Sequence, residues 1–521
     1  MPPQRIDLNQ KMNPAEQQPV IDFLANPATF GGAEVKRINT HAASVFLAGN
    51  RVLKIKRAVR FPFLDYSTLG KRKTACEAEI EVNRLYAPEI YRGVVAITRE
   101  AGGRLALGGE GEPVEYAVEM ARFDETQGFD HLAEAGRIDL ALADALGHAV
   151  AKAHEAVPVA KDAGFAETLA EIIAQNDGEL RAAADLFPTK EVDALTAASR
   201  TALARLRPLL VAREAGGFVR RCHGDLHLGN IVLIDGAPVL FDAIEFNPTL
   251  ATIDVFYDLA FLLMDLIERD LAAAATAVLN RYLTAAGRDS NLDALAALPL
   301  LMSLRAAIRA KVTAARPQRD AAMEKSARDY FALAQRLLSS PKPMLIAVGG
   351  LSGTGKSVLA RGLAASVMPL PGAVLLRSDV MRKALFKVAE TERLPASAYT
   401  PEVTAKVYAA LAEQARRVLT AGHSAIVDAV FAKRAERGAI AQIAPGAFHG
   451  LFLTADLDTR VARVGARTGD ASDADAAVAR AQQNYDLGAL EWAEVDAAGT
   501  PDETLRRALL SLPPRSGGEG R

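Results

Sequence analysis

Cysteine is nearly absent: the 521 residues hold two, Cys76 and Cys222, far apart and in no metal-ligand spacing. That excludes a disulfide framework and a cysteine-built metal knuckle, and points to a reducing cytoplasm. No long apolar run is present either. The longest, around Phe256–Leu266, is broken by Asp258 and Asp265 and is too short to span a bilayer, so it reads as a buried helix. The opening MPPQRIDLNQKMNP lacks the apolar segment of a signal peptide. Charge of one sign is missing as well: 61 basic and 63 acidic residues leave a net −2. No global basic field therefore recruits nucleic acid or anionic lipid, although a local basic patch stays open. No internal repeat of 20–50 residues is found.

What is present is a chain of ordinary globular composition, half apolar and about a quarter charged, long enough for two to four domains. Glu34 to Lys56 reads as strand, turn, strand, with Gly49-Asn50 as a hairpin turn. Residues 68–87 read as helix and 91–98 and 114–122 as strands, with a glycine-rich turn between them. An alanine-rich helical stretch runs from about 138 to 215. A strand–loop–strand region follows at 219–242, and then helices to about 338. Ser339-Ser340-Pro341-Lys342-Pro343 breaks the helical run and predicts a domain boundary. Beyond it, strands at 344–349, 373–377, 424–428 and 449–453 alternate with helices. This is the pattern of a parallel sheet with helices on both faces. The expected division is 1–340, 341–512 and a disordered tail at 513–521, rich in Pro, Gly and Ser.

The strongest motif lies just after that boundary. MLIAVGGLSGTGKSVLARGLA is a hydrophobic strand, a glycine loop and a helix, and Gly350, Gly355, Lys356 and Ser357 fit the Walker A pattern G-x-x-x-x-G-K-[ST]. Glycines there, Gly353 included, let backbone N–H groups turn in around phosphate oxygens, and the helix presents its N-terminus to the same anion. Thr354 lies in the same loop, Lys356 reaches the β/γ-phosphates, and Ser357 ligates Mg²⁺. SAIVD is an apolar strand ending in Asp428, a second acid for the metal. In LLRSDVMRKALF, Asp379 and Arg382 open a helix at the place where small P-loop kinases hold their acceptor. An Asp there orients or deprotonates a hydroxyl, and an Arg three residues on holds an anionic group; the competing reading of Asp379 is a charge at a helix N-terminus. Arg460, Arg463 and Arg467 share one helix face before an acidic loop and Arg480. Arg463 and Arg467 are the favoured lid arginines, against the reading of a solvated face.

A second constellation lies earlier, in CHGDLHLGNIVLIDGAPVLFDAIEFN. Asp225, Asn230 five residues on, and Asp242 after a Gly236 turn have kinase spacing. One Asp serves the acceptor hydroxyl, and the Asn and the second Asp hold Mg²⁺. Such a site needs a strand lysine paired to a helix glutamate. Lys54 in RVLKIK is the choice, with Lys56 on the same face left open. Glu79 is the partner, with Glu77 as the alternative. The loop Thr40–Ser44 covers the phosphates in this reading, though it lacks G-x-G-x-x-G. Asp254 and Asp258 read as bracing residues, and His223 as orienting the catalytic loop; His227 is left undecided.

These motifs carry two resemblances. Residues 30–335 resemble the aminoglycoside phosphotransferase and choline kinase branch of the protein-kinase-like α+β fold. Residues 343–512 resemble the zeta-toxin, chloramphenicol-phosphotransferase and polynucleotide-kinase group of P-loop kinases. Together they are similar to a bacterial family in which a phosphotransferase-like domain is fused to an AAA-type P-loop domain. FPFLDYSTLGKRKTACEAEIEVNRLYAPEIYRGVV and IVDAVFAKRAER carry that likeness. The resemblance implies a two-domain α/β chain with ATP and Mg²⁺ at both sites and a small-molecule hydroxyl as acceptor. Two alternatives stay open: a nucleotide-gated regulator with one catalytic half, and a polynucleotide 5′-hydroxyl kinase. The P-loop half has no AAA arginine finger or sensor motif, so it reads as kinase-like and not as a ring-forming ATPase.

Overall fold

The computed structural model describes residues 14–61, 64–316, 319–339, 341–466 and 470–513. It contains two compact units. One takes the chain up to Thr168 together with Leu210–Leu262; the other takes Leu169–Leu209 together with the chain from Leu263. The helices between residue 263 and the Ser339–Pro343 break thus pack in the same unit as the P-loop sheet, across the boundary expected from sequence. The expected tail, apart from Pro513, lies outside the described residues.

The first unit carries a six-stranded antiparallel sheet made of β1 (Val35–Asn39), β2 (Ala43–Ala48), β3 (Arg51–Lys56), β4 (Tyr91–Arg99), β5 (Leu105–Leu107) and β6 (Glu112–Ala121). Its order is β1-β2-β3-β6-β4-β5. Where the sequence suggested strand, turn, strand, there are three strands. Gly49-Asn50 does close a two-residue hairpin, with Ala48 facing Arg51. The extra strand, β1, is an edge strand whose residues after Val35 are all exposed, so it has no apolar alternation to announce it. Helix α1 (Leu69–Asn83) is capped by Thr68, whose side chain accepts from the Lys71 N–H. It packs through Cys76 and Ile80 with Tyr91 and Val118 of the sheet, and so points Glu79 inward.

Farther on come helix α2 (Leu140–Ala156) and the strand pair β7 (Val219–Arg221) and β10 (Thr252–Asp254). Between them sits a hairpin of β8 (Ile231–Ile234) and β9 (Ala237–Leu240). Its two-residue turn, Asp235-Gly236, has positive φ at both positions, as a tight hairpin requires. Helix α3 (Val255–Glu268) is buried along nearly its whole length, Asp258 and Asp265 included. Among the described residues, no helix is long and apolar enough to cross a membrane.

In the second unit, helix α4 (Ala272–Ala286) precedes a packed pair of helices at Leu298–Ala314 and Ala321–Leu338. The sheet that follows is parallel throughout. It comprises β11 (Leu345–Gly350), β12 (Val374–Arg377), β13 (Ala425–Asp428), β14 (Phe448–Thr454) and β15 (Ala493–Asp496), in the order β12-β13-β11-β14-β15. Helix α5 (Lys356–Ala364) packs Leu359, Ala360 and Leu363 onto Ile346 and Val348 of the central strand. Strands β13 and β14 flank β11 on opposite sides, so the C-terminal end of β11 is where the strand order reverses. Ligands of open α/β sheets bind at that crevice.

One buried group makes this unit acid-sensitive. Burial pushes the His423 imidazole down to about 4, with Nε2 2.7 Å from the Gly372 carbonyl oxygen. The unfolded chain takes up that proton near pH 6.5. Between those values the unfolded state binds more protons, so stability falls as pH drops from 6.5 toward 4. Substituting His423→Gln is expected to remove about 2 kcal/mol of the loss between pH 7.5 and 5 in urea unfolding. An unchanged pH slope contradicts this.

Candidate functional site

The N-terminal constellation assembles from four elements. Lys54 on β3 places Nζ 2.9 Å from Glu79 of α1 and 2.6 Å from Asp242, just past β9. Lys56, two residues on and on the same face, also pairs with Glu79 and with Glu245, which accepts a hydrogen bond from Tyr66. Both lysines left open by the sequence therefore reach the same glutamate. Lys56 is almost wholly buried, Lys54 keeps a small exposed fraction, and Asp242 is half-exposed. Burial works against the charge of Lys54, but Asp242 and Glu79 outweigh it and hold its pKa well above the ordinary lysine value. Glu79 is itself opposed by burial, and the two lysines keep it ionised and below the usual carboxylate range.

Asp225 and Asn230 lie on the loop between β7 and β8. The Asn230 amide donates to the Asp225 carboxylate at 3.1 Å and to its main-chain oxygen at 3.0 Å. His227 stands 3.5 Å from the same carboxylate. His223 is buried, with Nε2 2.9 Å from the Phe241 carbonyl, and burial lowers its pKa. Asp258 accepts from the main-chain N–H groups of His223 and Gly224 at 3.0 and 2.9 Å and lies 3.2 Å from His154. Asp254 forms a two-point bond to Arg213 at 2.7 and 2.8 Å. Asp242 sits at φ +60 and donates its N–H to the Tyr91 hydroxyl. Asn230 and Asp242 offer hard oxygens, the donor type Mg²⁺ takes.

At the C-terminal constellation the glycines have a steric reason. A Cβ on Gly353, which has φ +87, would stand 2.4 Å from the Arg460 carbonyl oxygen. Gly350 and Gly355 also have positive φ, and Gly355 caps α5. Lys356 Nζ donates to the Leu351 carbonyl at 3.1 Å, and the Thr354 hydroxyl donates to the same oxygen at 2.9 Å. Ser357 donates to Asp428 at 2.6 Å, a hydroxyl and carboxylate pair suited to Mg²⁺. Gly353–Ser357, Asp428, Asp379, Arg382 and Arg463 all line one cavity of about 1500 Å³. Burial first, and Asp428 second, raise the Asp379 pKa against a hydrogen bond from Ser472. Arg382 is buried, donates to the Ala398 carbonyl at 2.7 Å and lies 4.9 Å from the Tyr399 ring.

The lid arginines divide. Arg463 borders the cavity, with its guanidinium on the carbonyls of Ala497 and Gly499. Arg460 is buried under the glycine loop and bonds the Ser352 carbonyl, so it braces the loop. Arg467 lies outside the described residues. Sequence reasoning missed Arg377, at the end of β12. Its guanidinium lies 3.2 Å from Ser357 Oγ, 3.5 Å from Asp428 and 2.7 Å from Asp470. It also missed Asp473, which takes Lys383, Tyr399 and the Leu394 N–H together. The acidic loop was visible in the sequence, but nothing there names its distant partners.

The choice between Glu79 and Glu77 is testable by stability. Glu77 is exposed, 3.7 Å from Lys73, whereas Glu79 is fully buried between two lysines. Glu79→Ala is expected to cost about 3–5 kcal/mol in urea unfolding, because it removes the buried carboxylate that two ammonium groups share and leaves each with a single partner. Glu77→Ala should change it by less than about 0.5 kcal/mol. Equal effects contradict the assignment.

Residues 71–298 match the phosphotransferase enzyme family, and residues 345–486 match a family described as an AAA domain. The uncharacterized protein Rv2004c of Mycobacterium tuberculosis (strain ATCC 25618 / H37Rv) is 30% identical over 488 residues, 90% of this chain and 93% of its own. Among solved structures, a choline/ethanolamine kinase family protein from Mesorhizobium loti is 18% identical over 62% of this chain and 95% of its own, with a TM-score of 0.39. A gluconokinase from Sinorhizobium meliloti 1021 is 24% identical over 32% of this chain and 91% of its own, with a TM-score of 0.25. With the mycobacterial relative matched over nearly its whole length and the two families met in this order, the chain belongs to a family in which a phosphotransferase enzyme domain precedes an AAA-type P-loop domain.

Proposed function

We propose that the protein has two ATP-Mg sites, each transferring the γ-phosphoryl group to a hydroxyl of a small molecule. The acceptor oxygen bonds to the γ-phosphorus as the bond to the β–γ bridging oxygen breaks, and ADP leaves. In the N-terminal half, Asp225 takes the hydroxyl proton, Lys54 holds the phosphates with Glu79 behind it, and Asn230 and Asp242 hold Mg²⁺. In the C-terminal half, Asp379 takes the proton. Arg382 holds an anionic group of the acceptor, the loop from Gly350 to Ser357 cradles the phosphates, and Ser357 and Asp428 hold Mg²⁺. Arg463 and Arg467 are the lid cations. The metal's contribution is to neutralise charge on the phosphoryl oxygens.

For the C-terminal half, the observation that carries this reading is the shared cavity. The glycine loop and Asp428 border the same space of about 1500 Å³ as Asp379 and Arg382, so a nucleotide and an acceptor fit there together. Burial and the neighbouring Asp428 carboxylate raise the Asp379 pKa, which makes it a stronger base than an ordinary aspartate.

Turnover of ATP, measured with and without a pooled metabolite extract, tests the assignment. Asp225→Asn is expected to lower one extract-stimulated activity about 10²–10⁴-fold and spare the other. Lys356→Ala should do the reverse. Retention of both activities in either variant sinks the reading. For the C-terminal activity, the acidic limb of kcat should lie above the ordinary aspartate value and vanish in Asp379→Asn. A limb that persists unshifted in that variant assigns the proton to another group.

A further inference from the structure

The C-terminal sheet ends on β12, and an edge strand leaves a row of main-chain groups without a neighbouring strand. Along β12 the inner row is used by β13, as in the bond from the Val374 N–H to the Ser424 carbonyl. The outer row is met by one side chain of helix α4. The Asn280 Oδ1 accepts from the Leu375 N–H at 2.6 Å, and its Nδ2 donates to the Ala373 carbonyl at 3.1 Å. An N–H and the C=O two residues before it are the pair that a further strand would take, so the amide stands where that strand would lie.

Two more contacts hold the helix, one just before β12 and one beyond the helix that follows it. The Thr276 hydroxyl donates to the Pro371 carbonyl at 2.6 Å, and Arg281 pairs with Glu390 at 2.8 Å. The approach is close enough that a Cβ on Gly372 would stand 2.4 Å from the Thr276 Oγ1. Helix α4 nevertheless lies within the residues matched to the phosphotransferase enzyme family, before the Ser339–Pro343 break.

Strand β12 leads directly into the site. Two residues past Leu375, Arg377 faces Asp428 in the β12–β13 register and lies against Ser357 Oγ and the Asp428 carboxylate. Asp379 stands in the first turn of the helix that follows, Ser378–Phe386. We propose that Asn280, from the phosphotransferase-like part of the chain, is a positioning residue of the P-loop site. It pins β12 and thereby sets Arg377 and Asp379 against the Ser357–Asp428 pair. This rests on reading the C-terminal site as a nucleotide-metal site. The glycine loop, on β11 and α5, is built without Asn280, so the effect falls on the metal and acceptor side and spares the phosphate cradle.

The test uses the full-length protein carrying Lys54→Met, which leaves the C-terminal site to bind a fluorescent ATP analogue, titrated with and without Mg²⁺. Asn280→Leu should keep metal-free affinity within about twofold of the parent, the scale of additive independent sites. It should raise the half-saturating Mg²⁺ at least about fivefold, the scale of one net hydrogen bond. Asn280→Asp keeps an acceptor for Leu375 and loses the donor to Ala373. It should shift the Mg²⁺ dependence in the same direction by less, and it carries the test if the leucine variant does not fold. Mg²⁺ dependence at the parent value in the folded variants overturns the proposal. So does an equal loss of metal-free and metal-supported affinity, which is general loosening. Lys356→Ala in the same background should abolish the binding; if it does not, the nucleotide reading of the site is wrong and the proposal falls with it.

Discussion

A carboxylate taken out of water must be neutralised where it sits, or it will protonate or unfold its surroundings. Both constellations are arranged around that constraint. Glu79 is fully buried and ionised because two lysines from adjacent positions of one strand converge on it. Asp258, equally buried, is held by two main-chain N–H groups of the loop that carries Asp225. At the other site, Asp428 is met by a serine hydroxyl and an arginine. Each buried acid thus fixes a segment whose partly exposed neighbours are the residues to which chemistry is proposed: Asp242 beside Lys54, Asp225 beyond Gly224, Ser357 beside Asp428.

Under the proposed function the two constellations would bind phosphate differently. The C-terminal one relies on backbone, with three glycines at positive φ turning main-chain groups inward at the end of a central strand. The N-terminal one lacks such a loop and relies on a lysine whose charge is enforced by carboxylates on two sides. The first arrangement depends on local conformation within eight residues. The second depends on tertiary packing of a strand, a helix and a hairpin that are far apart in sequence.

That difference explains what was legible beforehand. The glycine loop, Asp428 and the run from Asp225 to Asp242 could be read because spacing along the chain fixes their geometry. Lys54 against Lys56 could not be decided, since period-two alternation puts both on one face and both in fact reach Glu79. Helix α1 gave little help: its buried face includes Arg72, Glu79 and Asn83, so apolar periodicity does not mark it. Arg377, Asp473 and Asn280 were invisible for another reason. Their partners lie some 20 to 95 residues away, and no local pattern records a side chain that completes a sheet edge or clamps a loop. The edge strand β1 went unread because its exposed residues carry no apolar alternation, whereas the helices before the Ser339–Pro343 break were read as helices but not their packing in the P-loop sheet's unit.

The central claim is that one chain holds two separate ATP-Mg sites. The most direct measurement is the stoichiometry of ATP-Mg binding to the full-length protein by calorimetry, repeated on Lys356→Ala and on Asp242→Ala. Two nucleotides per chain, falling to one in each variant, is the predicted result. One nucleotide per chain, lost entirely in Lys356→Ala and unaffected in Asp242→Ala, would contradict the account and leave the kinase-like half without a nucleotide.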